Sequence, residues 1–202
     1  NIGHTFGLDG TDEESLTEAY LWARKTLPQY ERYYKTYRQG FEDMELAATA
    51  SLMGVRESRR IMGDYVLSVD DFRDRAVFDD EIGRFSYPID LHPAKPDQDA
   101  YEEYHSKWTR LRHEDGESYG IPYRVLTPKG LKNVLVAGRC VSTDRNMQGS
   151  IRVMPGCYIT GQAAGVAAAM SVPVGMTTRG IDVRQLQARL KSLGAYLPNF
   201  IN

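Results

Sequence analysis

The residues from Asn133 to Met170, NVLVAGRCVSTDRNMQGSIRVMPGCYITGQAAGVAAAM, constrain this chain more than any other stretch. A short apolar run, a polar turn and a small-residue helix follow one another there without a gap. Val134-Leu135-Val136-Ala137 is apolar at every position, the pattern of a strand buried on both faces as in a parallel sheet. Gly138 lets the chain leave that strand. Arg139 to Arg152 is mostly polar and too irregular to continue it, and its arginines, serines, Asp144, Asn146 and Gln148 suit a ligand with many oxygens. Pro155 fits the first helical position, so a helix is expected from there, with the N–H groups of Gly156, Cys157 and Tyr158 unpaired. Those donors and the helix dipole favour negative charge.

The interior of this helix carries Gly161 and Gly165 among alanines, and each glycine costs about 1 kcal/mol relative to alanine. Four residues apart, they share one face, where a backbone or a flat ring could approach closely. Alone, such a face reads as close packing against a sheet. Joined to the strand, the arginines and the proline start, it tips toward binding.

The run VLVAGRCVSTDRNMQGSIRVMPGCYITGQAAGVAAA resembles the carboxyl-terminal flavin-binding segment of FAD-dependent oxidoreductases in the glutathione-reductase-like superfamily. GVRESRRIMGDYVLS and YPIDLH resemble the same group, so the likeness extends from about Gly54 onward. It implies FAD as cofactor. By that resemblance the strand ending at Gly138 delivers the turn to the flavin, and Arg139, Ser142 or Asp144 holds ribityl and pyrophosphate oxygens. The helix after Pro155 would point its N-terminus at the pyrimidine edge of the isoalloxazine, and Ser150, Met154, Gly156, Gly161 and Gln162 join the cofactor-binding set. Reduced flavin carries negative charge near N1 and the C2 carbonyl, so helix N–H groups and Arg152 would stabilise it and raise its reduction potential.

One departure from the family pattern is large. The chain contains no GxGxxG turn, which normally receives the FAD pyrophosphate, and no acidic ribose ligand following one. It also begins at Asn1. The expectation is therefore the carboxyl-terminal portion of a longer protein, inactive alone, whose missing amino-terminal half is a partner supplying the nucleotide site. The expected fold class is α/β, a partial FAD/NAD(P)-binding-type fold with a substrate-side β region and flanking helices. Three parts are expected: a helical segment over 1–45, a substrate-side α+β region over 46–126, and the carboxyl-terminal part of the FAD-binding domain over 127–202.

The 202 residues suffice for a sizeable core. With 25 basic and 27 acidic residues interspersed, there is no electrostatic footprint for nucleic acid or an anionic membrane. No stretch reaches the ~20 apolar residues that span a bilayer. A cytoplasmic setting is expected, and homo-oligomer formation stays open. Cys140 and Cys157 lack the paired spacing of a zinc site, no metal is expected, and both read as free thiols in a packed region.

Elsewhere, Thr11 or Asp12 can cap a helix from Ser15 to about Lys25, which Pro28 should interrupt. Tyr30, Tyr33, Tyr34 and Tyr37 then fall on one helical face, a stripe typical of a core or a domain contact. Gly54 to Leu67 alternates well enough to be two strands joined by a Gly63-Asp64 turn. There Arg56 and Arg59 either face solvent or bind an anionic or polar substrate, a choice the resemblance leaves even. Tyr87 to Pro93 reads as extended, because residues before proline avoid helical dihedrals. Alternation puts Asp90 and His92 on one face, where the carboxylate could orient or charge the imidazole. The resemblance ranks His92 first among the four histidines as an acid or base. Lys95 to Glu117 looks like a surface excursion, Tyr119 to Leu126 like a strand, and Asp182 to Leu193 like an amphipathic helix with Val183, Leu186 and Leu190 on one side.

The function expected is thus the carboxyl-terminal part of a FAD-dependent oxidoreductase, passing a hydride or electrons from a small-molecule substrate to flavin. Catalytic candidates are His92, Arg56 and Arg59. Two other readings stay open: a non-catalytic flavin- or nucleotide-binding module, and an interaction domain without cofactor.

Overall fold

Asp12 opens the first element because its carboxylate accepts the Ser15 N–H at 2.8 Å and so caps helix α1, Glu13–Tyr37. The computed structural model describes residues 3–92, 97–108, 111–173 and 175–201, in two units, Asn1–Ser58 and Arg59–Asn202. In the first unit α1 runs straight through Pro28 and is not interrupted there. Pro28 is exposed, so water can take up the backbone acceptor that proline leaves without its helical partner. The tyrosine stripe does not enclose a core within this unit. Tyr33 and Tyr37 are exposed, their rings tilted against each other with centroids 5.4 Å apart, and Ala19 is the buried residue of the helix.

The second unit is mixed α and β. Ser68 and Asp71 cap each other's end of α2, Val69–Arg73, through a reciprocal capping box. Strand β1, Glu81–Phe85, pairs antiparallel with β2, Tyr119–Pro122, so that Gly83 faces Ile121 and Phe85 faces Tyr119. Three further helices follow α3, Gln98–Trp108: α4, Arg145–Ile151; α5, Met154–Met170; and α6, Val183–Ser192. Short 3-10 turns occupy Tyr123–Val125 and Gly138–Cys140. Phe72, Tyr119, Ile121, Met147, Ile151 and Leu186 lie at the centre of the core. Asp182 caps α6 and buries its Leu186 and Leu190, as the amphipathic spacing required. Pro93, Lys95 and the residues through 96, together with 109 and 110, lie outside the described residues.

Several expectations are corrected. Val134–Ala137 is not a buried strand: Val134 is 40 % exposed, and among the described residues the run meets a neighbour through a single backbone bond, Val136 N–H to the Leu126 carbonyl at 2.9 Å. Apolar residues become a central strand only beside partners that complete a ladder, and the one sheet among the described residues, β1 with β2, does not include this run. The Gly54 to Leu67 region is not a hairpin. Its first residues belong to the other unit, and residues 61–67 run extended between two segments, with the Ile61 N–H on the Cys140 carbonyl and the Asp64 N–H on that of Thr127. Arg139 to Arg152 is not irregular, since it holds the second 3-10 turn and α4. The expected strand from Tyr119 stops at Pro122, and β1 lies where no strand was expected.

Arg84 and Glu81, both on β1, form a buried ion pair at 2.5 Å, and burial pushes the Glu81 carboxyl above its ordinary value. Replacing Arg84 by Met leaves that carboxylate unpaired. The expected loss is about 3 to 5 kcal/mol, read from urea unfolding.

Asp64 behaves in the opposite sense. Hydrogen bonds from Arg179, partly offset by burial, hold its carboxyl below the ordinary value of 3.8. The stabilisation is complete above the unfolded value and is lost as pH falls through the lower folded one. Asp64→Asn is expected to flatten the decline of stability with acid below about pH 4, measured by unfolding across that range.

Candidate functional site

Gly138 begins the turn that leads into the site with φ at +78°, a left-handed conformation that glycine adopts without a Cβ penalty. Its N–H donates to Thr160 Oγ1 at 3.0 Å, and Thr160 Oγ1 in turn donates to the Gly156 carbonyl at 2.9 Å. The 3-10 turn is thereby fastened to the first turns of α5. That helix begins at Met154, one residue before the expected start, with Pro155 in its first turn. The Cys157 N–H closes on the Val153 carbonyl at 3.1 Å, and Tyr158 lies further into the helix, so neither offers an open amide. Helix geometry leaves Met154 and Gly156 without an intrahelical acceptor, and proline has no N–H. A Cβ at Gly156 would stand 2.2 Å from the Ile151 carbonyl oxygen, so glycine there permits the tight elbow between α4 and α5.

The extended segment ending at His92 lies along α4. Ser150 Oγ donates to the Tyr87 carbonyl at 2.5 Å, the Asp90 N–H donates to Gly149 at 3.4 Å, and Arg152 Nη2 donates to the Asp90 carbonyl at 2.5 Å. Arg152 Nη2 lies 3.7 Å from Asp90 Oδ2, and His92 Nε2 lies 3.8 Å from Asp90 Oδ1. These are charge contacts, too long to be hydrogen bonds. The guanidinium is 6 % exposed, whereas the imidazole is 35 % exposed. His92 and Arg152, expected separately, thus meet through Asp90. Asp90 was legible as the residue sharing a face with His92 but not as the link to Arg152, because the 62 residues between them close only in three dimensions.

The remaining candidates divide by burial. Ser142 is fully buried and its Oγ accepts the Gly63 N–H at 3.0 Å. Ser150 is also fully buried; Tyr119 OH lies 2.9 Å from its Oγ, which is committed to Tyr87. Asp144 caps α4 through Met147 N–H at 2.6 Å and accepts the Val69 N–H at 2.9 Å. Arg139, Met154, Gly161 and Gln162 are exposed. Arg139 is near enough to pull the Cys157 thiol down, although burial and Cys140 leave that thiol above its ordinary value. A Cβ on Gly161 or Gly165 would meet no atom within 4 Å, so among the described residues this face is open and carries no packed neighbour. Arg59 is exposed in the second unit, while Arg56 belongs to the first. A separate cavity of about 540 Å³ lies at the far end of α5, between Leu135, Ala168 and Met176.

The groups here fit a planar ligand with anionic oxygens: a helix N-terminus, an exposed guanidinium near it, and a helix face carrying two glycines with open space beside them. Comparison with known proteins agrees. A family model described as FAD dependent oxidoreductase matches residues 2–190. The chain belongs to that family: it is an oxidoreductase of the flavin-linked class, and its cofactor is FAD. No curated protein and no solved structure matches it. Among the described residues no helix is long and apolar enough to cross a membrane, and no group of three His, Cys, Asp or Glu could hold a metal.

The elbow supplies a direct check. Gly156→Ala should force α4 and α5 apart, lowering stability by about 1 to 3 kcal/mol and weakening FAD binding, as read by thermal melts with and without FAD.

Proposed function

We propose that the N-terminal turn of α5 stands against the pyrimidine edge of the FAD isoalloxazine in a glutathione-reductase-like, Rossmann-type flavin domain. A small-molecule substrate is oxidised on the His92 side. The observation that carries this reading is the convergence, at one helix start, of the Met154 and Gly156 amides with Arg139 and with the Arg152–Asp90–His92 chain. FAD, when bound, supplies the acceptor for a hydride or an electron pair. Everything else falls to the chain.

Gly138, Arg139, Met154, Gly156, Gly161 and Gln162 would face the cofactor. The amides and Arg139 favour the charge that develops on reduction, since fixed donors in a water-poor site need no reorganisation. Ser142, Asp144 and Ser150 act one step back, holding the turn and α4 in place through the bonds described above. His92 accepts or returns the substrate proton, with Asp90 orienting its ring. Arg59, in the same unit as His92, is assigned to a polar group of the substrate. The apolar open face of α5, with Met154 and Tyr158 exposed beside the two glycines, is assigned to a further α/β segment that carries the nucleotide half of the site. Without that segment the piece is inactive.

The test is the flavin reduction potential of the whole protein and of Arg139→Leu. Removing the cation should make the potential more negative by about 30 mV for each 1.4 kcal/mol of lost stabilisation. An unchanged potential, or whole protein that takes up no FAD, rejects the placement. Retained FAD with full turnover in His92→Ala would leave the cofactor site but remove His92 from the chemistry.

A further inference from the structure

Two thiols stand beside the cofactor-binding turn with no task in the reading above. Cys140 ends the 3-10 turn and is exposed; Cys157 lies in the first turn of α5 and is partly buried. The turn is held on the helix by the Gly138 N–H on Thr160 Oγ1, and it closes on itself through the Val141 N–H and the Gly138 carbonyl. A Cβ on Gly138 would sit 3.9 Å from Cys157 Sγ, so the sulfur packs directly under the turn that carries Cys140. Burial holds the Cys157 thiol above its ordinary value, with Arg139 opposing and the neighbouring Cys140 adding to the rise. Cys157 Sγ has one weak partner, the Arg152 carbonyl at 3.4 Å. Cys140 is anchored by its backbone, whose carbonyl accepts the Ile61 N–H at 3.0 Å, so its side chain is not what fixes the turn.

We propose that Cys140 and Cys157 form a hydroperoxide-sensitive pair that closes reversibly into an intramolecular disulfide, stapling the cofactor-binding turn to the start of α5. The exposed thiol meets the oxidant first. The Cys140 thiolate attacks one peroxide oxygen, the O–O bond breaks, hydroxide leaves, and the sulfur becomes a sulfenic acid, oxidised by two electrons. The Cys157 sulfur, giving up its proton, then attacks that sulfur. The S–S bond forms, the S–O bond breaks, and the departing hydroxide takes a proton to become water. In sum two thiols and one hydrogen peroxide give one disulfide and two waters. The inference does not depend on where FAD lies, because it needs only the two sulfurs and the oxidant.

Hydrogen peroxide is the probe, followed by alkylation with iodoacetamide and mass spectrometry of the intact protein and of its peptides. Both thiols should be alkylated before treatment and neither after it, with a mass lower by two hydrogens and a single cross-linked peptide pair containing Cys140 and Cys157. Dithiothreitol should restore both thiols. Cys157→Ser should stop at a sulfenic acid on Cys140 that dimedone traps. Oxygen added to one sulfur while the other stays open to alkylation overturns the proposal. So does a disulfide found only between two chains.

Discussion

The arrangement of the site depends on one carboxylate, that of Asp144. One oxygen caps α4 through Met147 and the other takes the Val69 N–H at the start of α2, while the Asp144 N–H reaches the Leu67 carbonyl at 2.9 Å. A single short side chain therefore satisfies two helix starts that would otherwise expose donors to the core. It also sets the direction in which α4 leaves the turn. Because α4 carries Gly149, Ser150 and, at its end, Arg152, that direction decides where the His92 segment can lie. The elbow at Gly156 then converts the placement of α4 into the placement of α5. The start of α5 and the His92 segment are thus positioned from one origin.

Local signals in the chain predicted what local physics governs. The cap at Asp12, the proline in the first turn of α5 and the leucine spacing of α6 each act over a few residues, and each element formed there. Asp90 and His92 sharing a face was legible for the same reason. What failed depended on distant partners. Val134–Ala137 has the composition of a central strand, yet composition cannot supply the neighbouring strands, and the run lies half open with one backbone bond to Leu126. Glu81–Phe85 was missed because its strand is five residues long and its polar members, Glu81 and Arg84, are buried as an ion pair and not alternated with solvent. Pro28 was read as a break although exposure on a helix surface softens its effect.

Within the polar stretch 139–152, residue type did not separate scaffold from site, because serine and aspartate serve both. Burial separates them. Ser142 and Ser150 have no exposed surface and have partners inside the fold, so each is already repaid for its desolvation. Arg139 has been left in solvent at the same helix start, where its charge is available to a ligand. The same stretch therefore builds the frame with its inward-facing groups and leaves its outward-facing ones open to a ligand.

Arg152 stands between these two classes. A buried guanidinium needs an anion, and Asp90 supplies it at 3.7 Å together with a backbone carbonyl. The same carboxylate lies 3.8 Å from His92, almost the same distance. Asp90 is therefore shared between a guanidinium that cannot deprotonate and the ring it faces. The carboxylate that meets Arg152 also faces the ring of His92, so one anion ties the end of α4 to the segment that carries the histidine.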